Sequence, residues 1–248
     1  MSPRSRAAAS RAPALTFRGP PHRLTTLVPL PADAEVGEPR ALLEGVEVKG
    51  VTLRPPRDGA AHGKVSLRLS KATPPGRYAG SVELGGGPVP VVVEVEPRPR
   101  VDASPSRLRV EATPGEEVTV GVTLANVGNV PFDVPAVTRS CVFDQGGVDH
   151  AFWVALASEQ GETRSRIDLL LDDLAGSHGG LVEMRARPSD AIAPGDVRDV
   201  ELTLRFSDRL RPGGVYSGAW DAEGLHVRLH VDVPEAKRAA RKAGKEAR

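Results

Sequence analysis

The chain has 248 residues, of which 40% are hydrophobic, and a formal net charge of +1. This length allows one large domain or two ordinary domains, each with its own core. The longest clearly apolar run, residues 151–157, is much shorter than the roughly 20 residues that span a membrane. The single cysteine, Cys141, excludes an intrachain disulfide and a cysteine metal cluster.

The charge is distributed unevenly along the chain. Residues 1–23 carry five arginines and no acidic residue, and residues 235–248 carry six basic residues against two acidic ones, so the body between them has a net charge of −8. We interpret residues 1–23 as a disordered basic arm, with an organelle transit peptide as the alternative. Since this segment has no apolar secretory stretch, we expect a cytoplasmic protein.

Residues 24–97 predict a short β-sandwich. Val89, Val91, Val93 and Val95 recur at every second position, which is the period of a strand with one buried face. Pro75 and Gly76 lie between two such segments and predict a turn. Because the region is short, we expect an incomplete sandwich that lacks a strand.

The same pattern returns in the second half of the chain. The segment VSLRLSKATPPG, residues 65–76, aligns with LTLRFSDRLRPG, residues 202–213. After the turn, the aligned pairs are Tyr78 with Tyr216, Gly80 with Gly218 and Val82 with Trp220. The alignment predicts three corresponding strands in each half, with both tyrosines and Trp220 in the core. We expect each tyrosine hydroxyl to bond back to the backbone, as in a tyrosine corner.

Residues 98–234 predict a second, longer β-sandwich. The stretches TPGEEVTVGVTLANVGNVPFDV, APGDVRDVELTLRF and RPGGVYSGAW resemble bacterial immunoglobulin-like modules, namely NEW3-type modules and the C-terminal domain of the FixG type. The resemblance implies an all-β fold of two tandem immunoglobulin-like antiparallel sandwiches. It also implies a structural, adhesive or partner-binding role, and it brings no active-site residues with it.

Residues 139–186 depart from such a module and predict an insertion of loop and one short helix. Ile167, Leu170, Leu171 and Leu174 share one helical face, which ends at Gly176. Upstream, HAFWVALA, residues 150–157, predicts either another core strand or an exposed patch that docks on a partner.

Candidate partner-binding residues lie in this insertion and in the basic segment 235–248. They are Phe152, Trp153, His178, Lys237, Arg238, Arg241 and Lys242. For His178 the alternatives are a polar loop residue and a metal ligand shared with Asp172 or Asp173. The basic segments either solvate the chain ends or neutralise an acidic protein surface or nucleic acid, of which we consider nucleic acid the less favoured.

No pattern predicts catalysis. The chain has no G-x-S-x-G elbow and no phosphate-binding loop, and Cys141, between Val137 and Val142, predicts a small buried residue. His226 and His230 lie about 13 Å apart on a predicted strand, which is too far for one zinc ion. We therefore expect a non-enzymatic structural, assembly or adaptor protein with no cofactor, no metal and no membrane insertion, which binds protein partners or itself. The alternative is a carbohydrate- or cell-surface-binding module.

Overall fold

The computed structural model describes residues 14–29, 38–56, 62–84, 87–157, 166–187 and 189–235. Strands dominate this part of the chain, which confirms the prediction of a mainly β protein. The chain divides into two compact units: residues 1–98 with 128–130, and residues 99–127 with 131–248. Neither helix within the described ranges is long and apolar enough to cross a membrane.

Seven described strands form the first unit, in two sheets that enclose one apolar core. They are β1 (Leu15–Gly19), β2 (Leu24–Pro29), β3 (Arg40–Leu43), β4 (Val48–Arg54), β5 (His62–Leu69), β6 (Gly76–Glu83) and β7 (Pro88–Val95). One sheet has the order β1-β7-β6-β3, with β1 parallel to β7, and the other has the order β2-β5-β4. Phe17, Leu67 and Val93 are fully buried between them.

Two expectations for this unit are wrong. The segment 1–23, predicted as a disordered arm, contains β1, whose Phe17 lies in the core and whose Arg18 pairs with Glu96 at 2.8 Å. The unit is also not an incomplete sandwich, because the described residues supply seven strands. The surrounding arginines obscured a five-residue strand whose alternate side chains face the core.

Residues 128–130 belong to the first unit although they follow it in sequence. The side-chain amide of Asn129 donates to the carbonyl oxygens of Thr73, at 3.1 Å, and of Glu96, at 3.0 Å. Its Oδ1 accepts from the backbone N–H of Arg98 at 2.6 Å. Asn129 is 1% exposed, so one buried side chain satisfies three backbone groups.

The second unit has eight described strands and two helices. They are β8 (Val101–Ser104), β9 (Arg107–Glu111), β10 (Glu117–Asn126), β11 (Val137–Asp144), α1 (Gln145–Ala157), α2 (Arg166–Ser177), β12 (His178–Ala186), β13 (Val197–Arg205), β14 (Val215–Ala222) and β15 (Leu225–Asp232). The strands follow the order β14-β11-β12-β13-β10-β8-β15, and pairing of β14 with β15 closes a seven-stranded ring. β9 pairs with β15 in parallel.

This closed ring differs from the open pair of sheets that a simple sandwich predicts. β11 and β12 pair along their length, from Val137 opposite Arg185 to Cys141 opposite Leu181. On the other side, β8 and β15 meet at a single pair, Val101 opposite Leu225. The β11–β12 pairing and the β8–β15 pairing each connect two strands that would be open sheet edges in a simple sandwich.

The segments aligned in sequence form corresponding strands of the two units. β6 and β7 are an antiparallel hairpin, as are β14 and β15, and in each unit an early strand runs parallel to the last one. Tyr78 Oη donates to the Pro74 carbonyl oxygen at 2.8 Å, and Tyr216 Oη accepts from the Arg211 N–H at 3.0 Å. Both tyrosines therefore bond back to the backbone, as predicted.

The two aligned glycines have a shared steric cause. A Cβ at Gly80 would collide with the carbonyl oxygen of Leu42, on the adjacent strand β3. A Cβ at Gly218 would lie 2.9 Å from a methyl group of Val142 and 3.0 Å from the Cys141 carbonyl oxygen, on β11. Glycine recurs two residues after each tyrosine because the neighbouring strand comes very close there.

Candidate partner-binding surface

The helices α1 and α2 form a hairpin between β11 and β12. These strands are antiparallel neighbours, and Phe143 lies opposite His178 where the chain leaves and rejoins them. The helices therefore occupy residues 145–157 and 166–177, and residues 139–144 and 178–186 of the predicted insertion belong to strands. The described chain thus has two helices in this region, where the sequence predicted one.

α1 packs on α2 through small residues. Ala151 and Ala155 are buried, and Gly147, one turn earlier, is half-buried. A Cβ at Gly147 would lie 2.6 Å from Oγ of Ser177, a buried residue at the end of α2. Because residues four apart share one helical face, these three small residues form a seam along which the helices approach closely.

The large apolar residues of α1 therefore point outward. Phe152 is 50% exposed, Trp153 is 66% exposed and Leu156 is 74% exposed. The interpretation of residues 150–157 as a core strand is wrong. These residues are helical, and the large apolar ones are exposed, as the alternative of an exposed patch predicts. Its docking on a partner stays a prediction. Burying large apolar side chains is favourable, so an exposed group of them is a common feature of binding surfaces.

α2 confirms the helix predicted from its leucine spacing, but its apolar face is divided. Leu170 and Leu174 are half-buried, whereas Ile167 and Leu171 are exposed. The helix also continues through Gly176 to Ser177, whose Oγ donates to the Asp173 carbonyl oxygen at 2.9 Å. Two further apolar side chains of the hairpin are thus open to contact.

Aromatic contacts fix parts of this surface. The rings of His150 and Trp153 stack with centroids 6.1 Å apart. At the base of the hairpin, the exposed Phe143 lies 5.2 Å from the ring of His178, which is the first residue of β12 rather than a loop residue. Among the described residues, no group of three or more His, Cys, Asp or Glu side chains has the geometry to hold a metal ion.

A groove of about 580 Å³ lies on the outer face of β12. His178, Leu181 and Glu183 of β12 line the groove, together with Arg139, Arg205 and Arg209. Glu183 accepts from Arg139 at 2.9 Å and from Arg185 at 2.7 Å. The hydrogen bonds from Arg185, and then those from Arg139, hold the pKa of Glu183 below its ordinary value.

We expect the Glu183 carboxyl to titrate, in a side-chain NMR experiment, at lower pH than an ordinary glutamate. Because its folded-state pKa is lowered, its contribution to stability is present above the unfolded-state pKa and is lost as pH falls through the folded-state pKa. Arg185→Gln should raise the pKa more than Arg139→Gln does. An ordinary pKa in the unmodified protein, or no rise with Arg185→Gln, would show that the bridge does not persist in solution.

Cys141 is exposed, so the prediction of a buried thiol is wrong. Val137 and Val142 are an odd number of residues apart, and they therefore lie on opposite faces of β11. Val142 is fully buried, while Cys141 shares the outer face with Val137 and lies opposite Leu181. The remaining predicted binding residues, Lys237, Arg238, Arg241 and Lys242, lie outside the described residues.

Leu156 and Phe143 belong to the exposed apolar set but are not among the binding residues that the sequence predicts. The sequence does hold an indication of Leu156. Small residues at 147, 151 and 155 have the spacing of a helix–helix seam, and a seam on that side turns Phe152, Trp153 and Leu156 outward.

The comparisons with known proteins are weak. No family model matches the chain, and no curated protein matches it. Among solved structures, a protein of unknown function from Porphyromonas gingivalis is 12% identical, covering 89% of this chain and 96% of its own, with a TM-score of 0.26. Domains 4 and 5 of the S-layer protein SbsC are 15% identical, covering 64% and 66%, with a TM-score of 0.25.

An I-band fragment of titin is 8% identical, covering 89% of this chain and 62% of its own, with a TM-score of 0.32. At these TM-scores the likenesses carry no argument about fold or function. The strand order and pairing of the chain itself define its fold.

Proposed function

We propose that this protein is a non-enzymatic structural, assembly or adaptor protein made of two tandem immunoglobulin-like modules, in which the α1–α2 hairpin binds a protein partner. The strand order supports the module assignment. The third strand and the last two strands of an immunoglobulin domain form one sheet, and the second, fifth and fourth form the other. The orders β7-β6-β3 and β2-β5-β4 in the first unit follow this rule.

The second unit follows the same rule within its closed ring, as the orders β15-β14-β11 and β10-β13-β12. Its motifs are those that resemble NEW3-type and FixG-type modules, and we assign it to that group as part of the proposal. The exposed thiol of Cys141 suits a reducing compartment, so we place the protein in the cytoplasm.

The observation that carries the proposed binding role is the outward face of α1. Phe152, Trp153 and Leu156 lie within two turns of a helix whose inner seam is made of small residues. Large aromatic side chains contribute much of the binding free energy in many protein interfaces. Transferring such side chains from water into an interface is therefore favourable. The insertion thus provides a compact apolar anchor on a rigid β-scaffold.

The charge of the hairpin indicates the charge expected on the surface of its partner. Residues 145–177 contain six acidic residues and two arginines, a net charge of −4. Asp149, Asp168 and Asp172, on α1 and α2, are exposed. Complementary charge favours a partner whose apolar pocket is rimmed by lysine and arginine.

To test this role, the unmodified protein and the double variant Phe152→Ala/Trp153→Ala are used as baits in quantitative affinity purification. The partner is then purified, and its affinity is measured by calorimetry. We expect the double variant to weaken binding by at least about tenfold, which corresponds to about 1.4 kcal/mol. Val197→Ala serves as the control, since Val197 is also exposed but lies on β13.

A partner that binds the double variant as tightly as the unmodified protein would overturn the assignment of this surface. A partner with an acidic, rather than basic, rim around its apolar contact would contradict the charge argument. Raising the salt concentration is expected to slow association and leave the apolar contribution in place.

One observation favours carbohydrate binding as a second candidate. Trp153 presents an indole that is 66% exposed, and the His150 ring stacks on it. A flat aromatic ring held in this way offers an apolar face for a sugar ring. Affinity electrophoresis in gels that contain polysaccharide separates the two candidates: retardation that disappears with Trp153→Ala would favour carbohydrate, and unchanged mobility would favour the protein partner.

A further inference from the structure

Among the described residues, the strand β2 is paired on one side only. It pairs with β5, from Leu24 opposite Leu67 to Pro29 opposite His62, and it lies at the edge of the sheet β2-β5-β4. Its counterpart in the second unit is β10. β2 pairs with β5 and β10 pairs with β13, and β5 and β13 contain the start of the two segments aligned in sequence. β10 pairs on both sides, with β13 and with β8. In the described part of the first unit, no strand takes the position that β8 takes in the second.

The other edges carry the features that prevent edge-to-edge pairing. β4 has a register irregularity between Val48 and Gly50, and every other edge strand includes charged residues. These edge charges are Arg18 on β1, Arg40 on β3, Lys49 and Arg54 on β4, and Arg107, Arg109 and Glu111 on β9. β2 has the sequence LTTLVP, without charge or irregularity before its final proline. An uncharged, regular edge rich in β-branched residues is a template for another strand.

The side chains of β2 suit pairing with a second copy of the same strand. Leu24 and Val28 are buried and Thr26 is half-buried, so these three face the core, whereas Thr25 and Leu27 face outward. An antiparallel pair centred on Thr26 sets Thr26 against itself, Leu24 against Val28, and Thr25 against Leu27. Directly opposite residues point to the same face of a sheet, so this register keeps both cores on one side.

We propose that the protein associates with a second copy of itself through β2, antiparallel and with Thr26 on the two-fold axis. The two three-stranded sheets then form one continuous six-stranded sheet, held by main-chain hydrogen bonds in an isologous interface. On the solvent-facing side of this sheet, the exposed Leu27 of each chain contacts Thr25 of the other. An edge of six residues buries little area, so the association is weak and depends on concentration.

This interface uses residues of the first unit and none of those in the proposed partner surface on α1 and α2, so either proposal can fail without the other. The double variant Phe152→Ala/Trp153→Ala is expected to dimerise like the unmodified protein. Changes to β2 are expected to leave the binding of a partner at α1 unaltered, apart from avidity.

Disulfide trapping in the full-length protein tests the register. Cys141 is exposed, so the background carries Cys141→Ser. In Thr26→Cys, the two thiols would face each other across a pair whose Cα atoms are about 4.5–5.5 Å apart, within reach of a disulfide. We expect Thr26→Cys to give a covalent dimer under mild oxidation. The matched control Thr52→Cys, on the edge strand β4, is expected to stay monomeric.

Sedimentation equilibrium provides a second measurement that does not depend on new cysteines. We expect reversible dimerisation of the unmodified protein. Leu27→Lys should weaken the association at least tenfold, because the lysine would bring a charge opposite Thr25 of the other chain. Leu42→Lys, at another exposed leucine, on β3, should have no effect. A protein that is monomeric throughout the micromolar range, a dimer that Leu27→Lys leaves intact, or equal trapping of Thr26→Cys and Thr52→Cys would overturn the proposal.

Discussion

Replacing Trp220 with alanine is expected to lower the free energy of unfolding of the second unit by about 3–5 kcal/mol. Trp220 lies on β14 opposite Val227, is 1% exposed, and is among the largest fully buried side chains. Trp153→Ala should change the same free energy by less than about 0.5 kcal/mol, since its side chain lies mostly in water. Trp153 and Trp220 are the two tryptophans of the chain, so each variant serves as the control for the other.

Differential scanning calorimetry is suited to this comparison because the two units can unfold in separate transitions. Trp220→Phe is expected to cost less than Trp220→Ala, because it retains part of the volume and apolar area. Equal losses for Trp153→Ala and Trp220→Ala would contradict the orientation of α1 and the position of Trp220 in the core.

Asn129→Ala is expected to destabilise the first unit by about 2–4 kcal/mol. The change removes two donated hydrogen bonds and one accepted bond at a site that is 1% exposed, and it leaves Thr73, Glu96 and Arg98 with unpaired backbone groups. In calorimetry, the transition assigned to the first unit should move to lower temperature.

Asn129→Asp provides the control, because the carboxylate keeps the acceptor for the Arg98 N–H and loses both donors. It should therefore destabilise the unit as well, with the bond to Arg98 still present. A loss below about 0.5 kcal/mol for Asn129→Ala would mean that water replaces the side chain and that residues 128–130 are not needed by the first unit.

The sequence predicts the hairpins well because their period is local. Alternate valines in β7, and Val227, Leu229 and Val231 in β15, each place one face of a strand in a core. The alignment of Tyr78 with Tyr216 predicts the backbone hydrogen bond of each hydroxyl, since both follow a Pro-Gly turn at the same distance, apart from one inserted residue.

The helix α1 could not be recognised from its apolar residues alone. Phe152, Trp153 and Val154 favour strands by intrinsic propensity, and this preference favours the core-strand alternative. The structure is decided by tertiary packing, since α1 packs on α2 and its Ala151 and Ala155 are buried. Propensity is a weak guide where packing between elements determines which face is buried.

The candidate surface was predicted in part. Phe152, Trp153 and His178 lie on or beside the hairpin, but the orientation of Cys141 depended on which of two valines faces the core. A shift of one residue along a strand exchanges its two faces, so a lone cysteine between valines does not determine its own burial. The closure of the ring along β11 and β12 is a long-range pairing without a local pattern.

The accessibility of Trp153 in Trp220→Phe tests the central claim, which is that α1 turns its large apolar side chains toward solvent. In this variant Trp153 is the sole tryptophan, so its fluorescence reports on α1 alone. We predict emission at the wavelength of tryptophan in water and quenching by acrylamide close to that of the free amino acid. A blue-shifted emission that acrylamide barely quenches, in protein shown to be monomeric and uncomplexed, would contradict the claim.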